Sequence, residues 1–559
     1  MSYQDLKDGA RGRRWMMPFL LIAGVSALAH LWCLGSVYFL DDVLQIRDNT
    51  HLREGAWWKS GVSPWTYFCY QLQTKLWGTS PVGFHFVNWL LHTGVAMALY
   101  VFGRDALTWK NARGIALGSA LLFVAHPLAS EIPNYARTQD IAWVTLFSIL
   151  AAWFAVRMMH GFRWWLLGAV LLSVVGATFS KGPGLGHALM MVVFAVVACA
   201  RREDWQALWK RWRVVLAVGV AGLLVLWFSG VLEMLYYRGA VHRESDRLFW
   251  HGVTLCRVFW KFVALFLFPK GLCADHFIAG TLSWEDPQAL PAVVGLALWL
   301  LVATGLMIWP RTRFIGMCLW LFAGAIVLRF YFFINEFMPE YRIYPGLPWL
   351  CLGVMAALAA GWSRLTKVPP AGLVGGLLAV LCLVSAKRSF QWHDLDRLCA
   401  ATLVEYPGQA RALWMLQRRD VRLEEWDEVL KRHESFRAVE AAFLEENKRT
   451  HPGKAMSAGH QTMSQVALLG YRAEALAALG HEDRALAEFL MVEQGLLRRG
   501  IPRETESAIW GVYDHALGLV YEKRGELDKA LEALERTDGM NHRGLDIERV
   551  KAKIAAEEE

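Results

Sequence analysis

The sequence predicts an all-α membrane protein: a polytopic helical bundle of about eleven spans followed by an α-helical repeat domain. Three observations lead there. Hydrophobic residues make up 55% of the 559-residue chain, with 28 Trp, a mean hydropathy of +0.28 and 19% charged residues, a balance outside the range of soluble domains. Runs long enough to cross a bilayer fill the chain as far as Ser385 and then stop. Beyond that point the chain turns charged, with small and aromatic residues at helical spacing. Two domains follow, a membrane domain over 1–390 and a helical domain over 391–559.

The first apolar stretch, Trp15 to Leu40, is too long for the core of a secretory signal and lacks a small-residue cleavage site, so it reads as a retained span. Arg11, Arg13 and Arg14 precede it, which puts the N-terminus in the cytoplasm and the pair Asp41-Asp42 just beyond the far face. Further spans are expected near 82–102, 114–130, 140–156, 164–180, 183–200, 214–232, 290–309, 314–334, 345–362 and 370–386. Five basic clusters then share the cytoplasmic side: Arg104/Lys110/Arg113, Arg157/Arg163, Arg201/Arg202/Lys210/Arg211/Arg213, Arg311/Arg313 and Arg364/Lys367. A crossing by the apolar segment Val253–Phe268 would invert every later loop, so that segment reads as an embedded or re-entrant helix. Everything after Lys387 is then extracytoplasmic.

In the tail, Tyr471–Gly480 and Ala516–Ala530 resemble tetratricopeptide helix-turn-helix units, with Leu517, Gly518, Tyr521, Gly525 and Ala530 at the small-against-large positions. Three degenerate units, a TPR-like α-solenoid, are expected; a plain helical bundle is the alternative. The net charge of +8 is spread over short topological clusters rather than a basic stripe, which argues against nucleic acid. The nine Cys form no C-x-x-C pair and sit mostly in apolar runs, so neither a zinc site nor a disulfide framework is indicated.

Polar residues beside or within apolar runs are the functional candidates. Asp41 and Asp42 come first; adjacent carboxylates at a membrane interface suit a base, a hydroxyl ligand or a metal, and a solvated helix cap remains open as the alternative. His85, Asn88 and His92 share one helix face, where hydrogen bonding between spans is the favoured reading. His126 and Glu131 lie nearer the outer surface, open to either a site or a scaffold role. Trp57, Trp58, Trp65, Tyr67, Phe68 and Tyr70 crowd a segment too polar to span, as an interfacial helix does; a sugar-stacking platform is the rarer use.

The order of these motifs resembles a known family. The Asp41-Asp42 loop, G-x-x-P-x-G-x-H-x-x-N-x-x-x-H from Gly78 to His92, F-x-x-H-P-x-x-x-E from Phe123 to Glu131, Ser180-Lys181, Phe268-Pro269 through Asp275-His276, and Glu340-Tyr-Arg342-Ile-Tyr344-Pro345 are together similar to the transmembrane and tetratricopeptide-repeat O-mannosyltransferases and their bacterial relatives in the GT-C superfamily. The resemblance implies transfer of a sugar, mannose or another hexose, from a polyprenyl-phosphate carrier to an acceptor outside the cytoplasm. Two departures stand out: Gly182 follows Ser180-Lys181 where the family usually has Glu, and Arg137-Thr-Gln-Asp140 is more widely spaced than the family's arginine and acidic pair.

Such a transfer needs a base, charge compensation for the departing phosphate and a lipid route. Asp41 or Asp42 is the expected base, giving inversion, with the other carboxylate holding the loop or binding a divalent cation such as Mg2+ or Mn2+. Lys181, Arg342 and Arg137 are the expected phosphate ligands, against the alternatives that Lys181 snorkels and that Arg342 pairs with Glu340 or Glu336. His85, Asn88, His92, His126, Glu131, Asp140, Asp275, His276, Glu340 and Tyr344 are the supporting set. The attached repeats favour a protein or peptide acceptor over a lipid or polysaccharide, and a bacterial inner membrane with a periplasmic C-terminal domain is the expected setting. A lipid-linked-sugar transporter is the rival from another class, but it predicts internal repeats that the two halves do not display.

Overall fold

The computed structural model describes residues 3–60, 63–201, 203–206, 220, 245–276, 278, 280–281, 283–330, 337–365, 371–406, 409–434, 437, 459–498, 503, 507–537 and 544–558. The chain separates into two compact units: one holds 1–272, 278–334 and 338–394, the other 273–277, 335–337 and 395–559.

The described helices of the first unit are α1 (Tyr3–His30), α2 (Pro64–Trp77), α3 (Pro81–Ala106), α4 (Ala112–Ala125), α5 (Gln139–His160), α6 (Trp164–Ser180), α7 (Gly184–Cys199), α8 (Ser245–Leu267), α9 (Ala289–Ile308), α10 (Arg313–Val327), α11 (Leu347–Leu365) and α12 (Ala371–Gln391). Among the described residues six helices are long and apolar enough to cross a membrane: Met16–Gly35, Pro81–Ala106, Ala136–His160, Leu248–Leu267, Ala289–Ile308 and Gly372–Gln391. A seventh candidate is broken, because α4 ends at His126-Pro127 and the chain turns by 61° into Pro127–Asn134; proline lacks the N–H that would continue the helix and disfavours the helical conformation before it. The helices at 164–180, 184–199, 313–327 and 347–361 are apolar but shorter. The span expected near 214–232 falls, apart from residue 220, outside the described residues, as do Arg202, Lys210, Arg211, Arg213, Glu336 and Lys367.

Sequential helices pack as neighbours, α5 on α6 and α7, α3 on α4 and α5, α9 on α10, and α10 on α11, which short connections favour. Trp349, Tyr344, Phe123 and Phe322 fill the interior completely buried, while α9 and α12 show mostly exposed apolar faces such as Leu298, Leu301, Leu377 and Leu383, the pattern of helices whose outer side meets lipid. At one end of the bundle Asp105 accepts from Trp153 Nε1 at 2.9 Å and lies 3.9 Å from Arg157. The loops carrying Asp41, Glu131, Lys181, Phe330 and Tyr341 gather at the other end.

The helix α8 corrects a simple reading of its length. It is long and apolar enough to cross, yet both of its ends meet the same end of the bundle. Gly252 faces the Phe330 ring, where an added Cβ would sit 3.5 Å away, and near the other end His126 Nε2 is 2.9 Å from the Phe266 carbonyl oxygen with the two rings stacked at 4.8 Å. Between those points Arg257 bonds Asp286 and Thr281 in the polar loop before α9, while Phe259 and Trp260 press on Trp299. The helix therefore lies across the end of the bundle, apolar side inward and charged side to the loop, as an interfacial helix does.

The second unit contains α13 (Leu395–Glu405), α14 (Ala410–Arg422), α15 (Gly459–Ala478), α16 (Glu482–Arg498), α17 (Ser507–Lys523), α18 (Leu527–Glu535) and α19 (Gly544–Glu558). Three corners repeat one geometry. Glu424, Gly480 and Gly525 each adopt a left-handed backbone, φ +57°, +83° and +74°, and the residue after each donates its N–H back to a carbonyl five residues earlier: Glu425 to Asp420, His481 to Leu476, Glu526 to Tyr521. This pattern closes a helix C-terminus and starts the chain back. Five residues past each corner a wholly buried side chain, Val429, Ala485 or Ala530, seats the returning segment.

Candidate active site

The chain leaves the first span through Phe39-Leu40-Asp41-Asp42, and Leu40 has φ +42°, a conformation L side chains rarely adopt outside constrained loops. The next five residues, Val43–Arg47, form a π-helical turn, a distortion found most often at functional sites. The two carboxylates part ways here. Asp42 is fully buried and accepts the N–H of Phe39 at 3.1 Å and of Arg137 at 2.6 Å. Burial pushes its carboxyl well above the usual range, against the pull of those two N–H donors and with a push from Asp41. Asp41 is exposed and its backbone N–H donates to the Tyr135 hydroxyl at 3.3 Å. Asp42 fixes the loop, and Asp41 is the carboxylate of the pair left exposed.

The cations converge from three helix ends. Arg137 begins the turn into α5, and its Nη1 lies 2.6 Å from Asp140 Oδ2; Lys181, between α6 and α7, places Nζ 2.9 Å from the same oxygen. Asp140 thus supplies from another helix the carboxylate that Gly182 cannot, and Lys181 bonds it rather than snorkelling away. The turn holding Lys181 is tight because Gly184 lies against the Ala177 carbonyl, where a Cβ would collide. Burial draws the Lys181 ammonium down to about 8, against the raising pull of Asp140. Tyr341 and Arg342 sit on a 3₁₀ turn, Glu340–Ile343. Lys181 Nζ lies 5.4 Å and Arg342 Cζ 6.0 Å from the Tyr341 ring, while the Tyr135 ring is 6.3 Å from it. Two aromatic rings therefore bridge the cations to the Asp41 loop.

Arg329, just past the end of α10, belongs with these cations: Arg342, Tyr341 and Asp140 are all within electrostatic reach of its guanidinium. Its Nε is buried without a hydrogen-bond partner among the described residues. The sequence signal for it was an arginine inside an otherwise apolar run, Ala325–Phe330.

The supporting residues fall into separate roles. Asn88 donates to the carbonyls of Ile132 and Tyr135 at 2.9 and 3.0 Å and accepts from Gln139 Nε2 at 2.9 Å, so it ties α3 to the broken segment that leads to Arg137. His85 Nδ1 lies 3.1 Å from the Pro133 carbonyl oxygen, and His92 Nδ1 2.9 Å from the Tyr344 hydroxyl. Glu131, 1% exposed, accepts the Tyr341 N–H at 2.6 Å. Glu340 faces Arg388 at 3.8 Å, a residue of α12 that sequence reading passed over. Asp275 and His276 belong to the second unit, Asp275 pairing with Arg411 at 3.2 Å and His276 Nδ1 lying 3.2 Å from the Tyr406 hydroxyl. In the aromatic segment, Tyr67 and Tyr70 turn inward; the Tyr70 hydroxyl donates to the carbonyls of Ala136 and Arg137, both at 3.1 Å, while Trp58 is exposed.

Where a divalent cation is expected, at Asp41 and Asp42, each Asp42 oxygen accepts one backbone N–H, Asp41 is exposed, and among the described residues no three His, Cys, Asp or Glu side chains form a cluster of protein ligands.

No family model matches the chain. It is similar in sequence to protein O-mannosyl-transferases: 22% identical over 313 residues to one from Caenorhabditis elegans, covering 52% of this chain and 44% of that protein, and 32% identical over 130 residues to human TMTC1, covering 20% of this chain and 14% of the relative. The chain thus spans less than half the length of these relatives. Among solved structures, ArnT from Cupriavidus metallidurans bound to undecaprenyl phosphate aligns over 93% of this chain and 80% of its own, with a TM-score of 0.34 and 15% identity.

Proposed function

We propose that the protein is a membrane glycosyltransferase of GT-C type that moves a hexose, by its relatives' names mannose, from a polyprenyl-phosphate donor to a Ser or Thr hydroxyl of an extracytoplasmic protein, with inversion. The observation that carries this reading is one exposed carboxylate, Asp41, at the same end of the bundle as the cations Arg137, Lys181, Arg342 and Arg329, with the Tyr135 and Tyr341 rings between its loop and the pair Lys181 and Arg342. A sugar phosphate has the same layout, with its phosphate on one side of the anomeric carbon and the incoming hydroxyl on the other.

In this mechanism the Asp41 carboxylate takes the acceptor hydroxyl's proton as the hydroxyl oxygen forms its bond to the anomeric carbon. The bond from that carbon to the phosphate oxygen breaks, and the phosphate leaves with the electron pair, its charge met by guanidinium and ammonium groups aimed at it beforehand. Inversion follows from attack opposite the leaving group. The repeated corners of the second unit support a TPR-like solenoid that holds the acceptor peptide, with the setting a bacterial inner membrane and the second unit in the periplasm.

Glycoproteomics of the extracytoplasmic fraction tests this, comparing wild type with Asp41→Asn at equal expression. Loss of a hexose mass from Ser and Thr peptides supports the reading. An unchanged peptide pattern with altered envelope lipid or polysaccharide would replace the protein acceptor with a glycan or lipid one, and no change in any product would sink the enzyme reading.

A further inference from the structure

The last turn of α12 holds a charged residue that the mechanism leaves idle. Arg388 is 3% exposed; a guanidinium withdrawn from water so far is costly unless it is paired. Its ion partner is Glu340, wholly buried, at 3.8 Å, and its Nη1 donates to Gln391 at 2.8 Å. Glu340 opens the 3₁₀ turn that carries Tyr341 and Arg342. One turn beyond Arg388, the Trp392 ring stacks on Tyr135 at 5.9 Å and meets Phe39 edge-on at 5.5 Å, and its carbonyl accepts the Val37 N–H at 2.9 Å. Ser389 Oγ accepts from Asn134 at 3.0 Å. One helical turn thus grips three segments: the strand-like approach to Asp41, the turn before Arg137, and the turn bearing Arg342.

We propose that Arg388 is a positioning residue: through Glu340 it sets where Arg342 stands relative to Asp41, and so tunes affinity for the donor phosphate without touching it. This rests on the phosphate-binding role given above to Arg342. Errors of about 1 Å in such placements cost on the order of a hundredfold in rate, so a single buried pair has leverage on the site.

The test is binding of polyprenyl phosphate to the full chain in detergent, followed by the shift in melting temperature. Because Arg388→Met alone removes one member of a buried ion pair and leaves the other charged, the main variant is Arg388→Met/Glu340→Gln, which removes both charges. Expected are an affinity weaker by about tenfold with the unliganded melting temperature near that of wild type, an intermediate affinity for Arg388→Lys, and less than a twofold further loss when the double change is added to Arg342→Ala. Wild-type affinity in the double variant overturns the positioning role. Equal losses with and without Arg342 overturn it too, because the effect would not then pass through Arg342. If wild type itself shows no shift, the donor reading falls and this inference with it.

Discussion

At the scale of single residues, the pair Asp41-Asp42 was legible in the sequence as a candidate, but its division of labour was not. Which carboxylate is buried depends on the N–H groups of Phe39 and Arg137, and Arg137 is far away in the chain. The division predicts different failures. Asp41→Asn should lower kcat/KM by about 10²–10⁴, the usual worth of a general base, with an unchanged melting temperature. Asp42→Asn should also lose activity, but with faster proteolysis of the loop, because an amide can offer only one oxygen to two N–H donors and turns its own NH₂ toward the other. Lys181 carries a pH signature with two opposite signs. With its pKa drawn down to about 8, it loses its charge as pH rises through 8, so the KM for donor should climb there. Stability should rise over the same interval up to the ordinary lysine value, since the unfolded chain binds the extra proton. Steady-state kinetics and melting curves between pH 7 and 10 check both slopes, and Lys181→Arg should flatten them.

At the scale of elements, apolar run length marked most of the crossing helices, because length and composition are what a bilayer reads. What it could not mark was direction. The run Val253–Phe268 is as apolar as a span, and only the meetings of Gly252 with Phe330 and of Phe266 with His126 show α8 lying across the bundle. Cysteines at Ser245 and Lys270, in a background lacking reactive native thiols, should therefore react with an impermeant reagent from the same side; labelling from opposite sides would make α8 a crossing helix. The corners of the second unit were half legible. Gly480 and Gly525 announce themselves by residue type, whereas the corner at Glu424 is hidden behind a residue that rarely takes φ +57°. Replacing Glu424 with Gly should stabilise that unit by about 1 kcal/mol, and Gly525→Ala should destabilise it by about the same amount, both measurable by chemical denaturation of the detergent-solubilised chain.

At the scale of the whole molecule, the site is an assembly of helix ends rather than a motif. Asp41, Arg137, Lys181, Arg329 and Arg342 come from five separate segments, so a sequence pattern can name several of them but cannot state that Asp140 serves two, or that Arg388 reaches Glu340. Those links are made only when the bundle closes, and Arg329 escaped notice because its apolar neighbours disguised it as part of a span. If the protein works as proposed, one of these links governs what happens between turnovers. With Asp140 Oδ2 shared by Arg137 and Lys181, the protein carries its own stand-in for the anion. In the proposed mechanism, two of the cations keep a partner and their places when a spent lipid phosphate departs, and the next donor enters a vestibule already wired for it, without waiting for a counter-ion to be shed.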